Sequence, residues 1–427
     1  MNKNKYTIKA VWLMLSLATV MQLSGCAGIG KGVTEAILEK TESEDTRKCQ
    51  VWGKAFTGIE ADLLKKQGKT KVLFVHGVGD HQPGYTAEFL EKLAKQLNLN
   101  VRSGSQKNIE LITPVLPGKD LGVLRISHLL NEQNGQELTF YELTWSGITR
   151  KEKAMLAFDT SGEYDFRRAR LNALLKKFSN DTGPDPVIYS GTSRVPIQAA
   201  FSQSFCWMAT GDWENLPDSG KHACMGLNDT HINHIANDHY VFISHSLGSR
   251  IMTDGMQRIA SMLLSAHQNQ KVTVTHKAVE TMQNKKIPMF MLSNQLPMLQ
   301  LGQEPPEVTG QSASYCDTKG ANYNKRMFRE TEIIAFSDPN DLLSYAIPHE
   351  FADKYIDSRL CARITNVNIN IAKVMDAFGL TDLANPMQAH IGYDTDDRVV
   401  ALIAKGIGTP AEAPLIKQRC EFTKEVK

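Results

Sequence analysis

The stretch "YVFISHSLGSR", residues 240–250, is an apolar run that stops at Ser246 among small residues. A serine at such a junction can cap a helix, or it can present its oxygen as a nucleophile. A serine hydroxyl is weakly nucleophilic at neutral pH. The second role therefore needs a base to take its proton and a third group to orient that base. Downstream, "TEIIAFSDPNDLLSY" carries two candidate acids, Asp338 and Asp341, past an apolar run, and "NPMQAHIGYDTDDRVVALIAKG" carries His390. Attack on a carbonyl also concentrates negative charge on one oxygen, which two pre-aimed backbone N–H groups stabilise.

These residues need elements to hold them. "KVLFVHG" is a short continuous apolar run ending in glycine, as expected of a parallel strand buried on both faces. "YTAEFLEKLAKQLNL" places Phe89, Leu90, Leu93 and Leu97 at helical spacing. "VLRISHLLNEQNGQELTFYELTW" reads as two strands joined through Asn134-Gly135, a turn dipeptide. After "HYVFIS" a helix is expected from Leu247 to about His267, with Met252, Met256, Ile259 and Leu263 on one face. Three more strands follow, "IPMFMLS", "TEIIAFS" and "NVNINI". Strands alternating with helices predict an α/β chain with a mostly parallel central sheet flanked by helices. Residues 146–237 break the alternation and read as a lid-like insertion over one sheet edge, with Phe201, Phe205, Trp207 and Trp213 as its aromatic side chains.

The strand, the serine turn and the helix around "SHSLG" resemble the nucleophile elbow G-x-S-x-G of the α/β-hydrolase superfamily. Ser244 stands where that motif has its first glycine, and Gly248 keeps the last position. The resemblance covers about residues 69–407, the insertion excepted, and implies the order serine, acid, histidine. It makes Ser246 the nucleophile and His390, in "AHIGY", the base. Asp341 becomes the acid, with Asp338 as the alternative. His76-Gly77 in "VLFVHGVGDH" is similar to the HG pair of the family's oxyanion loop, with His76 in a supporting role. The implied donors are the amides of Leu247 and Val78, with Gly77 as runner-up to Val78. The implied activity is cleavage of carboxylic esters, lipid or acyl esters among them, through an acyl-enzyme and without metal or organic cofactor. Transfer of the acyl group to an acceptor other than water uses the same residues and stays open.

The first residues, "MNKNKYTIKAVWLMLSLATVMQLSGC", join three lysines to an apolar stretch too short to span a bilayer, which reads as an export signal. "LSGC" resembles the lipobox of bacterial lipoproteins, implying cleavage before Cys26 and acylation of that residue. Ala27 in the following position implies the outer membrane, with the protein facing the periplasm. The expected organisation is a signal over 1–25, a lipidated tether over 26–50 and one catalytic domain over 51–427. Six cysteines remain for an oxidising compartment, so disulfides are expected. Many pairings are possible; Cys49 with Cys420 and Cys206 with Cys224 are the expected ones. Removing Lys3, Lys5 and Lys9 from 48 basic residues, against 46 acidic ones, leaves a body one charge negative. Nothing in that balance suits nucleic acid. The expected partners are an ester-containing small molecule or lipid, and the membrane through Cys26; the oligomeric state is not readable.

Two other classes compete. "HGVGDH" matches a metal-hydrolase pattern at His76, Asp80 and His81, but Val78 replaces a required histidine and cannot ligate zinc. "HINHIANDHY" supplies His231, His234 and His239 without an obvious ligand framework. A binding module that keeps the fold without catalysis would explain Ser244 in place of glycine, but would not need Ser246, Asp341 and His390 together.

Overall fold

The continuous apolar runs lie side by side in one sheet. The computed structural model describes residues 47–102, 104, 106–156, 169–264, 273–377 and 381–423; the expected signal segment and Cys26 lie outside the described residues. The sheet strands are β1 (Cys49–Trp52), β2 (Thr70–Val75), β3 (Lys107–Leu111), β4 (Val123–Leu130), β5 (Glu137–Thr144) and β6 (Ser219–His222), then β7 (His239–His245), β8 (Lys286–Leu292), β9 (Glu330–Ser337), β10 (Ala362–Asn368) and β11 (Cys420–Phe422). Their order is β11-β1-β10-β9-β8-β7-β2-β5-β4-β3-β6, and Asn100–Val101 also pairs with β4. From β10 to β5 every pairing is parallel; β4 pairs antiparallel with β5 and β3, and β1 antiparallel with β10. The fold is thus α/β with a mostly parallel central sheet.

Strand periodicity divides each apolar run between two cores. On β2, Leu73 and Val75 face one core while Val72 and Phe74 face the other. Phe242 and its neighbours Val241 and Ile243 divide in the same way on β7. This two-sided burial is why the runs lack polar alternation.

The helices that matter to the site are α1 (Ala87–Gln96), α2 (Gly147–Lys153), α3 (Arg170–Thr182), α4 (Pro184–Ser190), α5 (Arg194–Thr210), α6 (Gly248–Leu264), α7 (Pro386–Ile391) and α8 (Asp397–Lys405). Helices α5 and α6 pack together against one face, while α1 and α8 pack together on the other. Asp396 caps α8 by accepting from the Arg398 and Val399 amides at 2.8 and 3.3 Å.

The stretch 146–237 differs from its reading as a lid. Phe201 and Phe205 of α5 are buried against Phe242 of β7, with ring centroids 6.1 and 5.5 Å apart. Trp213 stacks on His128 of β4, toward the end of the sheet opposite Ser246. A parallel β5–β2–β7 arrangement needs a crossover that covers the sheet face, and α5 is that cover. Among the described residues of this stretch, Ser146 and helices α2, α3 and α4 approach the loop after β2.

Three disulfides form: Cys49–Cys420, Cys206–Cys224 and Cys316–Cys361, with Cα–Cα separations of 4.4, 5.9 and 5.4 Å. Cys49 and Cys420 face one another in the parallel register of β1 and β11, so the bond ties the two ends of the described chain. Among the described residues no helix is long and apolar enough to cross a membrane. Replacing Cys49 and Cys420 together by serine is expected to lower unfolding free energy by about 2–5 kcal/mol. Guanidinium denaturation of the two proteins under non-reducing conditions measures the difference.

Candidate active site

Ser246 sits at the carboxyl end of β7, where the chain turns into α6. Its φ is +53°, a left-handed conformation that few non-glycine residues adopt, and its amide donates to Leu292 O at 2.9 Å. The turn is possible because two glycines, Gly77 and Gly248, lie where it meets the loop after β2. A Cβ on Gly248 would lie 2.4 Å from Val75 O, and one on Gly77 would lie 2.7 Å from the Ser246 Cβ. Both positions let the loop after β2 lie directly against the serine. Ser244 needs no such space: it is a strand residue of β7, fully buried and paired with Val75 and Met291.

The three side chains singled out in the sequence converge. His390 Nε2 lies 3.1 Å from Ser246 Oγ, and His390 Nδ1 lies 2.9 Å from Asp341 Oδ1. His390 comes from α7, whose first turn is capped by Asn385, and Asp341 from the loop after β9. Burial alone pushes the Asp341 carboxyl up, but the hydrogen bonds from His390, Ser293 and the Leu343 amide outweigh it and hold it below the usual carboxylate range.

Asp338 has a different task. One oxygen accepts from the Asn340 amide at 2.7 Å; the other accepts from the Ile371 and Ala372 amides at 2.6 and 2.9 Å. It therefore fastens the loop after β9 to the chain leaving β10, away from His390.

The loop after β2 is held from several sides. His76 accepts from the Trp145 amide at 3.1 Å through Nε2 and stacks on the Trp145 indole, which leaves Nδ1 to donate to Gly77 O at 2.8 Å. Asp185 Oδ2 accepts from the Gly79 amide at 2.7 Å, and Asp181 Oδ2 from the Asp80 amide at 3.2 Å. Lys153 Nζ balances both carboxylates at 3.1 and 3.3 Å. Among the described residues, none of the Gly77, Val78 and Leu247 amides donates a hydrogen bond, so the choice between Gly77 and Val78 is not made by pairing. Gly77 packs directly against Ser246, Val78 follows it in the same loop, and Leu247 follows Ser246 in the chain.

Three residues that support the site had no signal in the sequence. Ser293, fully buried at the end of β8, lies 2.7 Å from Asp341 Oδ2 and 2.9 Å from His390 Nδ1. Tyr393 Oη donates to Asp341 Oδ2 at 3.3 Å. His245 donates through Nε2 to His390 O at 2.7 Å, which fixes the backbone that carries the imidazole.

The histidine clusters take other partners. His81 Nε2 is 3.1 Å from Val78 O, and Asp80 pairs with Arg150 at 2.7 Å, so His76, Asp80 and His81 do not share a centre. His234 does approach Asp212 and Asp238, at 3.5 and 3.9 Å. However, the buried Lys71 ammonium lies 2.6 Å from Asp238 and already supplies a cation there. His239 lies near Asp62 at 3.8 Å, and His231 serves a helix cap.

Burial, reinforced by the adjacent His390, lowers His245 from 6.5 to about 3. The unfolded chain takes up a proton near 6.5 that the folded chain refuses until about 3, so stability is full above that window and falls as pH drops through it. His245→Gln is expected to flatten the loss between neutral and mildly acid pH, seen as a smaller shift of the urea midpoint than in the parent. An unchanged pH slope would contradict a His245 that stays neutral in the folded chain. No family model, curated protein or solved structure matches the chain.

Proposed function

We propose that the chain is a serine hydrolase of carboxylic esters, with the fold and lipid anchor of the α/β-hydrolase and lipoprotein resemblances. The observation that carries the reading is the unbroken line from Asp341 through His390 to Ser246, beside two unpaired backbone amides. Ser246 Oγ attacks the ester carbonyl as its proton passes to His390 Nε2, and the carbonyl electron pair moves onto oxygen. The Val78 and Leu247 amides stabilise that oxyanion. Asp341 keeps the Nδ1 proton in place and offsets the imidazolium charge. His390 returns the proton to the leaving alcohol; it then takes one from the water that attacks the acyl carbon and gives it to Ser246 Oγ as the Oγ–carbon bond breaks and the acid leaves.

The residues next to the acid and base favour apolar esters. Leu342 and Leu343 follow Asp341 and are 72% and 42% exposed, Tyr345 is 41% exposed, and Ile391, beside His390, is 54% exposed. Four exposed apolar side chains close in sequence to the acid and the base suit an alkyl or acyl chain better than a charged group. Ser246 itself is fully buried in this conformation, so the side chains over it must shift before an ester reaches Oγ. Three disulfides agree with an exported chain, and on the lipobox resemblance Cys26 is the site of acylation that holds the protein at the outer membrane.

Turnover of p-nitrophenyl esters and labelling by a fluorophosphonate should both vanish in Ser246→Ala and survive a chelator. Asp341→Asn is expected to lower kcat by about 10³–10⁴-fold, as a wrong imidazole tautomer does. Asp338→Asn should cost stability rather than turnover. Equal turnover by the parent and Ser246→Ala rejects the reading. Separately, an alkyne-tagged fatty acid fed to cells should enter the parent but not Cys26→Ala, read by gel fluorescence.

A further inference from the structure

Leu292 and Ser293, at the end of β8, touch all three members of the catalytic line. Leu292 O accepts from the Ser246 amide at 2.9 Å. The Ser293 hydroxyl lies between Asp341 Oδ2, at 2.7 Å, and His390 Nδ1, at 2.9 Å. Ser293 has a φ of +48°, which disfavours any residue with a Cβ, and no glycine has been placed there. The next residue holds this backbone in place. Asn294 donates its amide to Phe336 O at 2.9 Å and its side chain to Tyr345 O at 2.7 Å, and accepts from the Tyr345 amide at 2.8 Å.

From this geometry we infer that Ser293 is a positioning residue that fixes the proton arrangement of the Asp341–His390 pair, an inference that rests on the hydrolase reading above. A serine hydroxyl has one proton. Ionised Asp341 can only accept, so that proton goes to Oδ2, and the Ser293 lone pairs then face Nδ1. His390 Nδ1 must therefore be the protonated nitrogen, its hydrogen shared between Asp341 Oδ1 and Ser293 Oγ. Nε2 is left unprotonated toward Ser246, which is the only tautomer able to take the nucleophile's proton. When Ser246 Oγ bonds to the carbonyl carbon and its proton moves to Nε2, the Nδ1 hydrogen stays where it is. Ser293 adds a second acceptor to the imidazolium at that moment. Without its hydroxyl, Asp341 loses one donor and the ring loses one of the two contacts that set its angle.

The test uses the full chain in detergent, with Ser293→Ala and Ser293→Gly, the glycine variant suiting the left-handed backbone. Fluorophosphonate labelling is followed to its end-point and as a rate per labelled site, beside KM for a short p-nitrophenyl ester. A lost hydrogen bond to a charged group predicts a rate about 10–100-fold lower, with full end-point and unchanged KM. The low-field proton resonance of His390 Nδ1–H should move in both variants. A rate within about twofold of the parent overturns the inference, as does a reduced end-point with an unchanged rate per site, since that reports folding alone. Either result leaves the parent's own labelling intact and the hydrolase reading standing. A parent that is not labelled, or a Ser246→Ala chain labelled equally, removes both.

Discussion

A carboxylate taken out of water must be surrounded by donors, and at Asp341 that requirement draws the separate parts of the site together. Removing such a charge from water costs on the order of several kcal/mol unless hydrogen bonds replace the lost hydration. Asp341 is 4% exposed, and its oxygens accept from His390, Ser293, Tyr393 and the Leu343 amide. Those donors belong to α7, the end of β8, the turn after α7 and the acid's own loop. No single element holds the imidazole; the buried charge does so by recruiting from each. The net effect is a carboxyl that stays ionised although burial opposes it.

The sheet supplies what the carboxylate cannot, which is proximity of backbone. Parallel strands ending at one edge bring the loops after β2, β7, β9 and β10 to a common place. Closeness to Ser246 then depends on what is missing from two residues. Gly77 and Gly248 each stand where a Cβ would overlap the neighbouring chain, so the strand-to-helix turn and the loop after β2 can touch only as glycines. The left-handed conformations of Ser246 and Ser293, at adjacent strand ends, are further costs borne by this edge.

Much of this was legible in the sequence, for identifiable reasons. Apolar runs marked β2, β7, β8 and β9 because both of their faces are buried, whereas "NVNINI" begins past the start of β10 because Ala362, Arg363 and Ile364 are only half-buried and Arg363 interrupts the apolar run. Ser246 and Asp341 each come shortly after such a run, whereas His390 lies on α7, beyond the strands Val374–Ala377 and Thr381–Ala384, and was placed by its order in the chain. Both expected disulfides form. The choice between Asp338 and Asp341 needed coordinates, since both are buried and only their partners differ. Ser293 was invisible because one serine after a strand has no pattern of its own; its role lies in two residues 48 and 97 positions away. The stretch after β5 misled because its polar loops outweighed α5, a helix buried on several sides whose apolar positions therefore form no single stripe.

That stretch also decides how the loop after β2 is set. The Gly79 and Asp80 amides turn toward Asp185 and Asp181, which belong to α4 and α3, and Lys153 of α2 neutralises both acids. A lone buried carboxylate so near Val78 would oppose an oxyanion bound at that amide. Lys153 removes the opposition while leaving the geometric hold, because the lysine meets the same Asp185 oxygen that accepts from Gly79. Trp145, at the end of β5, adds a second hold through His76, from the strand side. The loop is thus clamped between the sheet and the helices that follow β5. Although α2, α3 and α4 contribute no group to the line from Asp341 to Ser246, they hold the Gly79 and Asp80 amides, the two residues that follow Val78 in this loop.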